Sequence, residues 1–272
     1  MEKLLNNNSK LIICASGASL PFLNSQFYRT GVGLPLKLEQ IIKHNYSIGL
    51  NYFFEYGCET TFNMSADWQF YEDNRIELKK VPMIITSEDP QLKNNKISRI
   101  HDNTILLKHS GIYNGLDSWK LGFFSRQLIG IFSLSIAIAL GFREIYLLGA
   151  DCCQVNNQTH FYQGVVNLEE HVKVYIKGQL KDKRFKFRGI GKNPKGDYKT
   201  STYNYPNMIN KKWYKPFLQE KDVKIFNVST ESAITLFQKL TYEEFYKQIG
   251  DNHIYQPDAR EEIRKFILRK LS

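Results

Sequence analysis

The chain is short of cysteine, of acidic residues and of long apolar runs, and each shortage closes off a class of protein. Four cysteines among 272 residues, Cys14, Cys58, Cys152 and Cys153, are too few to staple a scaffold of this length. None forms a Cys-x-x-Cys pair, and two are adjacent, a geometry that rarely permits a bridge. Reduced thiols and a cytoplasmic location are therefore expected. The longest apolar stretch, Gly130 to Leu140, is about half the ~20 residues of a membrane span and contains Ser133 and Ser135. The first twenty residues lack the apolar core and small-residue cleavage site of a secretion signal, so none is expected. Internal repeats and low-complexity tracts are also missing.

What remains is a folding chain with a basic bias. Hydrophobic residues make up 42% and aromatic residues 14%, which excludes a disordered protein. A mass of 31.8 kDa fits one or two domains. Lys and Arg number 37 against 27 Asp and Glu, a formal charge of +10 that favours an anionic partner: a nucleotide, a nucleic acid or an acidic membrane. Charge alone does not choose among them.

Short β-branched runs alternate with helical patterns. Lys10 to Cys14 reads as a buried strand ending in the small-residue turn Ala15 to Ser19. Leu36 to Lys43 suits a helix, and Tyr46 to Asn51 a second strand. Further strands fit Glu59 to Asn63, Val81 to Thr86 and Thr104 to Lys108. Ser125 to Leu140 reads as a buried helix closed by Gly141, followed by a strand over Glu144 to Gly149. Beyond Asp151 the pattern loosens, and Lys181 to Asn204 carries eight Lys or Arg against two Asp, which reads as a lid or insertion. Val223 to Val228 restores strand character, Thr241 and Glu244 match a capping box, and Asp258 to Leu271 forms a helix with Ile263, Phe266, Ile267 and Leu271 on one face. The expected fold is α/β, a doubly wound, mostly parallel Rossmann-like sheet with a basic lid. Residues 1–180 would form the nucleotide-binding α/β domain, 181–215 the basic aromatic lid or insertion, and 216–272 the return to the sheet and a C-terminal amphipathic helix.

In such sheets ligands bind beyond the strand C-termini, and that rule selects the candidate residues. Ser16, Gly17, Ala18 and Ser19 offer backbone N–H groups and two hydroxyls to a phosphate at a helix N-terminus, or else make a tight strand–helix turn. Asn51 follows a strand and either bonds a ribose or phosphate or closes its own turn. Asn63 to Trp68 sets an amide, the acid Asp67 and an aromatic at another strand end, suited to a sugar or base, or to a capped helix start. Asp151, after Gly149 and Ala150, can hold a ribose hydroxyl, position a base, assist a metal or serve as an N-cap. No partner at ligand spacing supports the metal version, and no metal is expected. His160 and Tyr162 pair an imidazole with a phenol just past Asp151, the best acid/base candidates; a surface His beside a core Tyr is the alternative.

Arg126, four positions before Gly130, and then SIAIALGFREIYLLGAD resemble the bacterial lipo-oligosaccharide sialyltransferases, as does the turn in LIICASGASL. The same residues resemble the domain shared by archaeal 6-hydroxymethylpterin diphosphokinases and proteins linked to flagellin glycosylation. The resemblance covers roughly residues 10 to 70 and 120 to 165, with an echo in VKIFNVSTES. Within it, Ser16 replaces a typical Asn, Ile129 a Ser and Cys153 a Tyr, and no His occurs between His171 and His253 where the family has a catalytic one. The resemblance implies a glycosyltransferase using a nucleotide-activated donor, a CMP-sugar among the candidates, and a glycan or other hydroxyl acceptor. Asn51 and Asn63 would hold the nucleotide and Arg126 would neutralise phosphate, with no cofactor required. An ATP-dependent diphosphokinase, needing Mg²⁺ on Asp67 and Asp151, is one alternative. A non-catalytic nucleic-acid binder using the aromatics of Lys181 to Lys215 is another. The C-terminal stripe, flanked by Arg260, Arg264, Lys265, Arg269 and Lys270, would dock on the protein's own core, on the inner face of an anionic membrane, or on a second copy in a homo-oligomer.

Overall fold

The computed structural model describes residues 9–21, 23–24, 32–56, 58–66, 68–88, 100–125, 128–153, 190–192, 198–200, 209–250 and 252–272. Its centre is an eight-stranded sheet in which every pairing is parallel. The first strand, β1 (Lys10–Cys14), is followed by the short antiparallel pair β2 (Leu23–Asn24) and β3 (Val32–Gly33), then α1 (Leu36–Lys43) and β4 (Tyr46–Leu50). Next come β5 (Phe62–Ser65), α2 (Trp68–Asp73), α3 (Arg75–Leu78), β6 (Ile84–Ser87) and β7 (Thr104–Leu107). A small pair, β8 (His109–Ser110) and β9 (Phe123–Phe124), flanks α4 (Ser118–Leu121) and leads into α5 (Ile129–Leu140) and β10 (Glu144–Leu148). An antiparallel hairpin, β11 (Ile190–Lys192) with β12 (Tyr198–Thr200), precedes a π-helical segment (Ile209–Tyr214). The chain closes with β13 (Lys224–Val228), β14 (Gln238–Lys239), α6 (Tyr242–Ile249) and α7 (Gln256–Leu271).

The strand order is β14-β13-β10-β1-β4-β5-β6-β7. From β1 the chain first builds outward through β4 to β7, then returns to lay β10 on the other side of β1 and builds away through β13. The order therefore reverses at β1 and β10, the position at which doubly wound sheets take their ligands. Strands covered on both faces need continuous apolar runs, as KLIIC and EIYLL supply. Ile12, Cys14, Tyr146, Leu148 and Val228 pack with Leu38 and Ile42 of α1 and Phe245 and Ile249 of α6. Leu11, Ile13, Ile145 and Leu147 pack on the other face with α5 and with Ile263, Phe266 and Ile267 of α7. Helices on both faces make the fold doubly wound.

Each helix follows its residues. Every position of α5 from Ile131 to Leu140 is buried, since the segment has no polar face, and Gly141 ends it at φ 110°, a conformation costly for any residue with a Cβ. Thr241 and Glu244 cap α6 reciprocally, with Glu244 N–H to Thr241 Oγ1 at 3.2 Å and Thr241 N–H to Glu244 Oε2 at 2.7 Å; the Thr241 N–H and, at 3.0 Å, its hydroxyl hold the Glu244 carboxyl below its ordinary pKa.

Several boundaries differ from the sequence expectation. The helix expected from Ser125 begins at Ile129, because Leu128 is extended (φ −116°, ψ 120°). The strand expected over 81–86 is Ile84–Ser87, after a turn through Pro82. That expected over 59–63 is Phe62–Ser65, which puts Asn63 inside the strand rather than at its end. Ile209 and Tyr214, at the end of the range read as the insertion, are buried in the main core. In α7, Ile263, Phe266 and Ile267 dock on the core as one of the readings expected, whereas Leu271 is 46% exposed. Two of the basic residues flanking the stripe are engaged internally: Arg260 with Glu59 and the Thr61 carbonyl, Arg264 with the Asp102 carbonyl. No described helix is long and apolar enough to cross a membrane.

Candidate functional site

The register sets the C-terminal edge. Leu148, Cys14, Gly49 and Asn63 lie level across β10, β1, β4 and β5. The loops after β1, β4 and β10 therefore leave from the same end of the sheet, and Asn51 and Asp151 stand at that end together.

At the reversal point the β1 and β10 loops are stitched to one another. Ala15 N–H donates to Leu148 O at 2.8 Å and Gly17 N–H to Gly149 O at 2.7 Å. The buried Asp151 carboxylate accepts from Ser19 N–H at 2.8 Å through Oδ2 and from the Ser19 hydroxyl through Oδ1. Gly17 has no room for a side chain: a Cβ there would lie 2.2 Å from Gly149 O and 2.5 Å from Asp151 Oδ2. Gly149 needs its glycine as well, at φ 62° with Ala15 O only 2.9 Å from where a Cβ would sit.

This geometry corrects part of the phosphate-cradle expectation for Ser16 to Ser19. Two of the four N–H groups, those of Gly17 and Ser19, are spent on the β10 loop. Ala18 and Ser19 form a turn, and among the described residues no helix starts at this segment to aim a macrodipole across it. The parallel register brings Gly149 and Asp151 beside β1, and their acceptors capture those donors first.

On the other side of β1, Asn51 has φ 48°, a left-handed conformation that Asn tolerates, immediately after β4. Asn63 is buried on β5, its Nδ2 donating to Thr60 Oγ1 at 3.1 Å. Its Oδ1 sits over Gly49, where a Cβ would come within 2.3 Å, and has no hydrogen-bond partner among the described residues. A buried amide oxygen without a donor costs about 1–3 kcal/mol, so it marks a place where a ligand donor would be favoured.

Gly130, at the start of α5, faces the Tyr214 hydroxyl, 3.1 Å from the position of a Cβ. That hydroxyl shares a hydrogen bond with Cys152. Burial pushes the Cys152 thiol up to about 12, outweighing the Tyr214 bond, so it is protonated at neutral pH and no nucleophile. Asp67, Arg126, His160 and Tyr162 lie outside the described residues. Among the described residues no group of three or more His, Cys, Asp or Glu is arranged to hold a metal ion.

Sequence reasoning passed over the residues that brace this edge from behind. Ser232 and Ala233, after β13, bond the Ala150 and Asp151 carbonyls, and Asn210 ties the π-helical segment to the same loop through Ala233 O and Thr235 N–H, each at 2.9 Å. Asn227 falls within the strand expected over Val223 to Val228, but nothing local marks Ser232, Asn210 or Tyr214, whose partners include groups distant in sequence.

No family model matches the chain, and no curated protein does. Among solved structures it aligns with the MAf glycosyltransferase of Magnetospirillum magneticum AMB-1 at 14% identity and a TM-score of 0.49, over 97% of this chain but only 37% of that one. It also aligns with the sialyltransferase CstII of Campylobacter jejuni in complex with the substrate analogue CMP-3FNeuAc, at 14% identity and a TM-score of 0.44, over 90% of this chain and 88% of that one.

Proposed function

We propose that the protein is a glycosyltransferase that moves a sugar from a nucleotide-activated donor, a CMP-sugar in the first instance, to a hydroxyl acceptor. The observation that carries the reading is Asn63: a buried amide oxygen without a donor among the described residues, level with the ends of β1 and β10 and paired with Gly49 on β4, the strand that Asn51 follows. The sequence resemblance around Arg126 and Asp151 supports the transfer chemistry.

In this reading Asn51 and Asn63 hold the nucleotide, and Asp151 acts through Ser19 by fixing the turn against which it lies. The bond between the anomeric carbon and the phosphate oxygen breaks as the acceptor oxygen bonds to that carbon. His160 takes the acceptor proton, Tyr162 donates to the departing phosphate oxygen, and Arg126 offsets its charge. Basic side chains then fill the role that a metal has in other transferases, so binding and transfer persist in a chelator.

A thermal-shift screen of CMP, UDP, GDP and ATP and the corresponding nucleotide sugars, with and without Mg²⁺, tests this. A ligand at 100 times its Kd stabilises by about 2.7 kcal/mol. A shift with CMP or its sugars independent of Mg²⁺ is the expected result. A shift with ATP alone, only with Mg²⁺, would overturn it in favour of phosphoryl transfer.

A further inference from the structure

The loops after β10 and β13 are joined by one hydroxyl. Ser232 is buried, and its oxygen accepts from Asn227 Nδ2 at 2.8 Å and from Ile234 N–H at 3.1 Å. Those two donors fill the oxygen's lone pairs. Its single proton is thereby directed at the Ala150 and Asp151 carbonyls, 2.9 and 3.0 Å away. Ala233 N–H adds a second donor to Asp151 O at 2.8 Å. The loop carrying Ser232 is itself held, since Lys239 Nζ donates to Thr230 O at 2.9 Å and to Ser232 O at 2.7 Å.

We infer that Ser232 is a positioning residue whose effect reaches Ser19 through the junction of the β10 and β1 loops. The link runs through one residue. The Asp151 main chain is fixed by Ser232 and Ala233, and the Asp151 side chain fixes Ser19 by its N–H and its hydroxyl. With the Asp151 carbonyl pinned, the direction of its Cα–Cβ bond is set, and so is the place from which the carboxylate meets the β1 turn. Asn227 gives the arrangement its stiffness, because it is fully buried on β13 and delivers Nδ2 to the hydroxyl from a strand of the central sheet. Loss of the hydroxyl leaves two buried donors facing a methyl group and frees the β10 loop to move. For the bound nucleotide this inference rests on the reading proposed above; for the hold on Ser19 it rests on the hydrogen bonds alone.

The test is native-state amide exchange on the 272-residue chain for Ser232→Ala, Ser232→Thr and, as a matched deletion elsewhere, Ser118→Ala, whose buried hydroxyl donates to Gly115 O at 2.7 Å. In Ser232→Ala the Ser19 and Gly17 amides should exchange about five- to tenfold faster, the effect of about one lost hydrogen bond, while Met64 and Ile85 in the β5–β6 ladder stay within about twofold. Ser118→Ala should leave Ser19 as in the wild type, and Ser232→Thr, which keeps the hydroxyl, should fall between wild type and Ser232→Ala. Unchanged exchange at Ser19, or acceleration there only in step with Ile85, would overturn the inference. CMP titration of the same proteins separates the two claims. If CMP binds the wild type, Ser232→Ala should weaken it; if CMP does not bind, the CMP reading fails while Ser19 exchange still decides the role of Ser232.

Discussion

Replacing Gly17 with alanine tests the junction at the centre of the site. A Cβ there would stand 2.2 Å from Gly149 O and 2.5 Å from Asp151 Oδ2, well inside van der Waals contact. The first obstacle is backbone and the second a carboxylate held by Ser19, so neither can rotate away. Relief requires the β1 and β10 loops to part, which removes the bond from Gly17 N–H to Gly149 O and strains both bonds from Ser19 to Asp151. One neutral bond is worth about 1 kcal/mol and each bond to a charged acceptor about 1.5–3, so complete loss would cost about 4–7 kcal/mol. Partial relaxation, and the loss of about 0.4–1 kcal/mol of unfolded-chain freedom on Gly→Ala replacement, bring the expected destabilisation to about 2–4 kcal/mol. For a chain of this size that lowers Tm by roughly 4–8 °C. Urea unfolding of Gly17→Ala beside Gly111→Ala, where a Cβ meets nothing within 4 Å, measures it. In an Asp151→Ala background the substitution should cost less but still something, because Gly149 O remains. Gly17→Ala within about 0.5 kcal/mol of wild type would refute the close-packed junction and the account of the site built on it.

Gly49→Ala should displace Asn63 Oδ1 and abolish the CMP-induced thermal shift while Gly111→Ala retains it; a normal shift in Gly49→Ala removes Asn63 from the binding site. His160→Gln should reduce transfer by about 10²- to 10⁴-fold with CMP binding intact, and full turnover in that variant would refute its acid/base role. Burial pushes the Cys58 thiol up to about 12, so between its unfolded pKa of about 8.5 and that value the unfolded chain binds fewer protons than the native one and stability falls as pH rises. Urea unfolding at pH 8 and 10.5 should show Cys58→Ala losing about 2 kcal/mol less than wild type over that interval, and equal slopes would contradict it. Gln256 donates through Nε2 to Ile42 O, Lys43 O and Asn45 O and accepts from Thr61 Oγ1 at 2.7 Å, so Gln256→Ala should cost about 2–4 kcal/mol by chemical denaturation, and a cost under about 0.5 would show that α7 is not fastened there.

The alternation of apolar runs and helical patterns was sufficient for the parallel, doubly wound class, because a strand covered on both faces is apolar along its buried length, as KLIIC and EIYLL are after their first, charged residue. Local chemistry was equally sufficient for the Gly141 stop and for the Thr241 and Glu244 cap, whose partners lie within a few residues of one another. That Asn51, Gly149 and Asp151 share one edge also followed from sequence, since every parallel strand ends at the same side of its sheet. What Asp151 does there did not follow. Its carboxylate meets Ser19 only because β10 lies beside β1 in a register that sets Leu148 against Cys14, a pairing between segments more than 130 residues apart. The same register takes the Gly17 and Ser19 amides away from a phosphate and leaves Asn63 inside a strand with its oxygen over Gly49. Ser232, Asn210 and Tyr214 carry no local signature because their roles consist of hydrogen bonds to distant loops. Periodicity reports which face of a segment is buried; which polar groups meet across the buried edge is decided by strand order and register, and these exist only once the chain has folded.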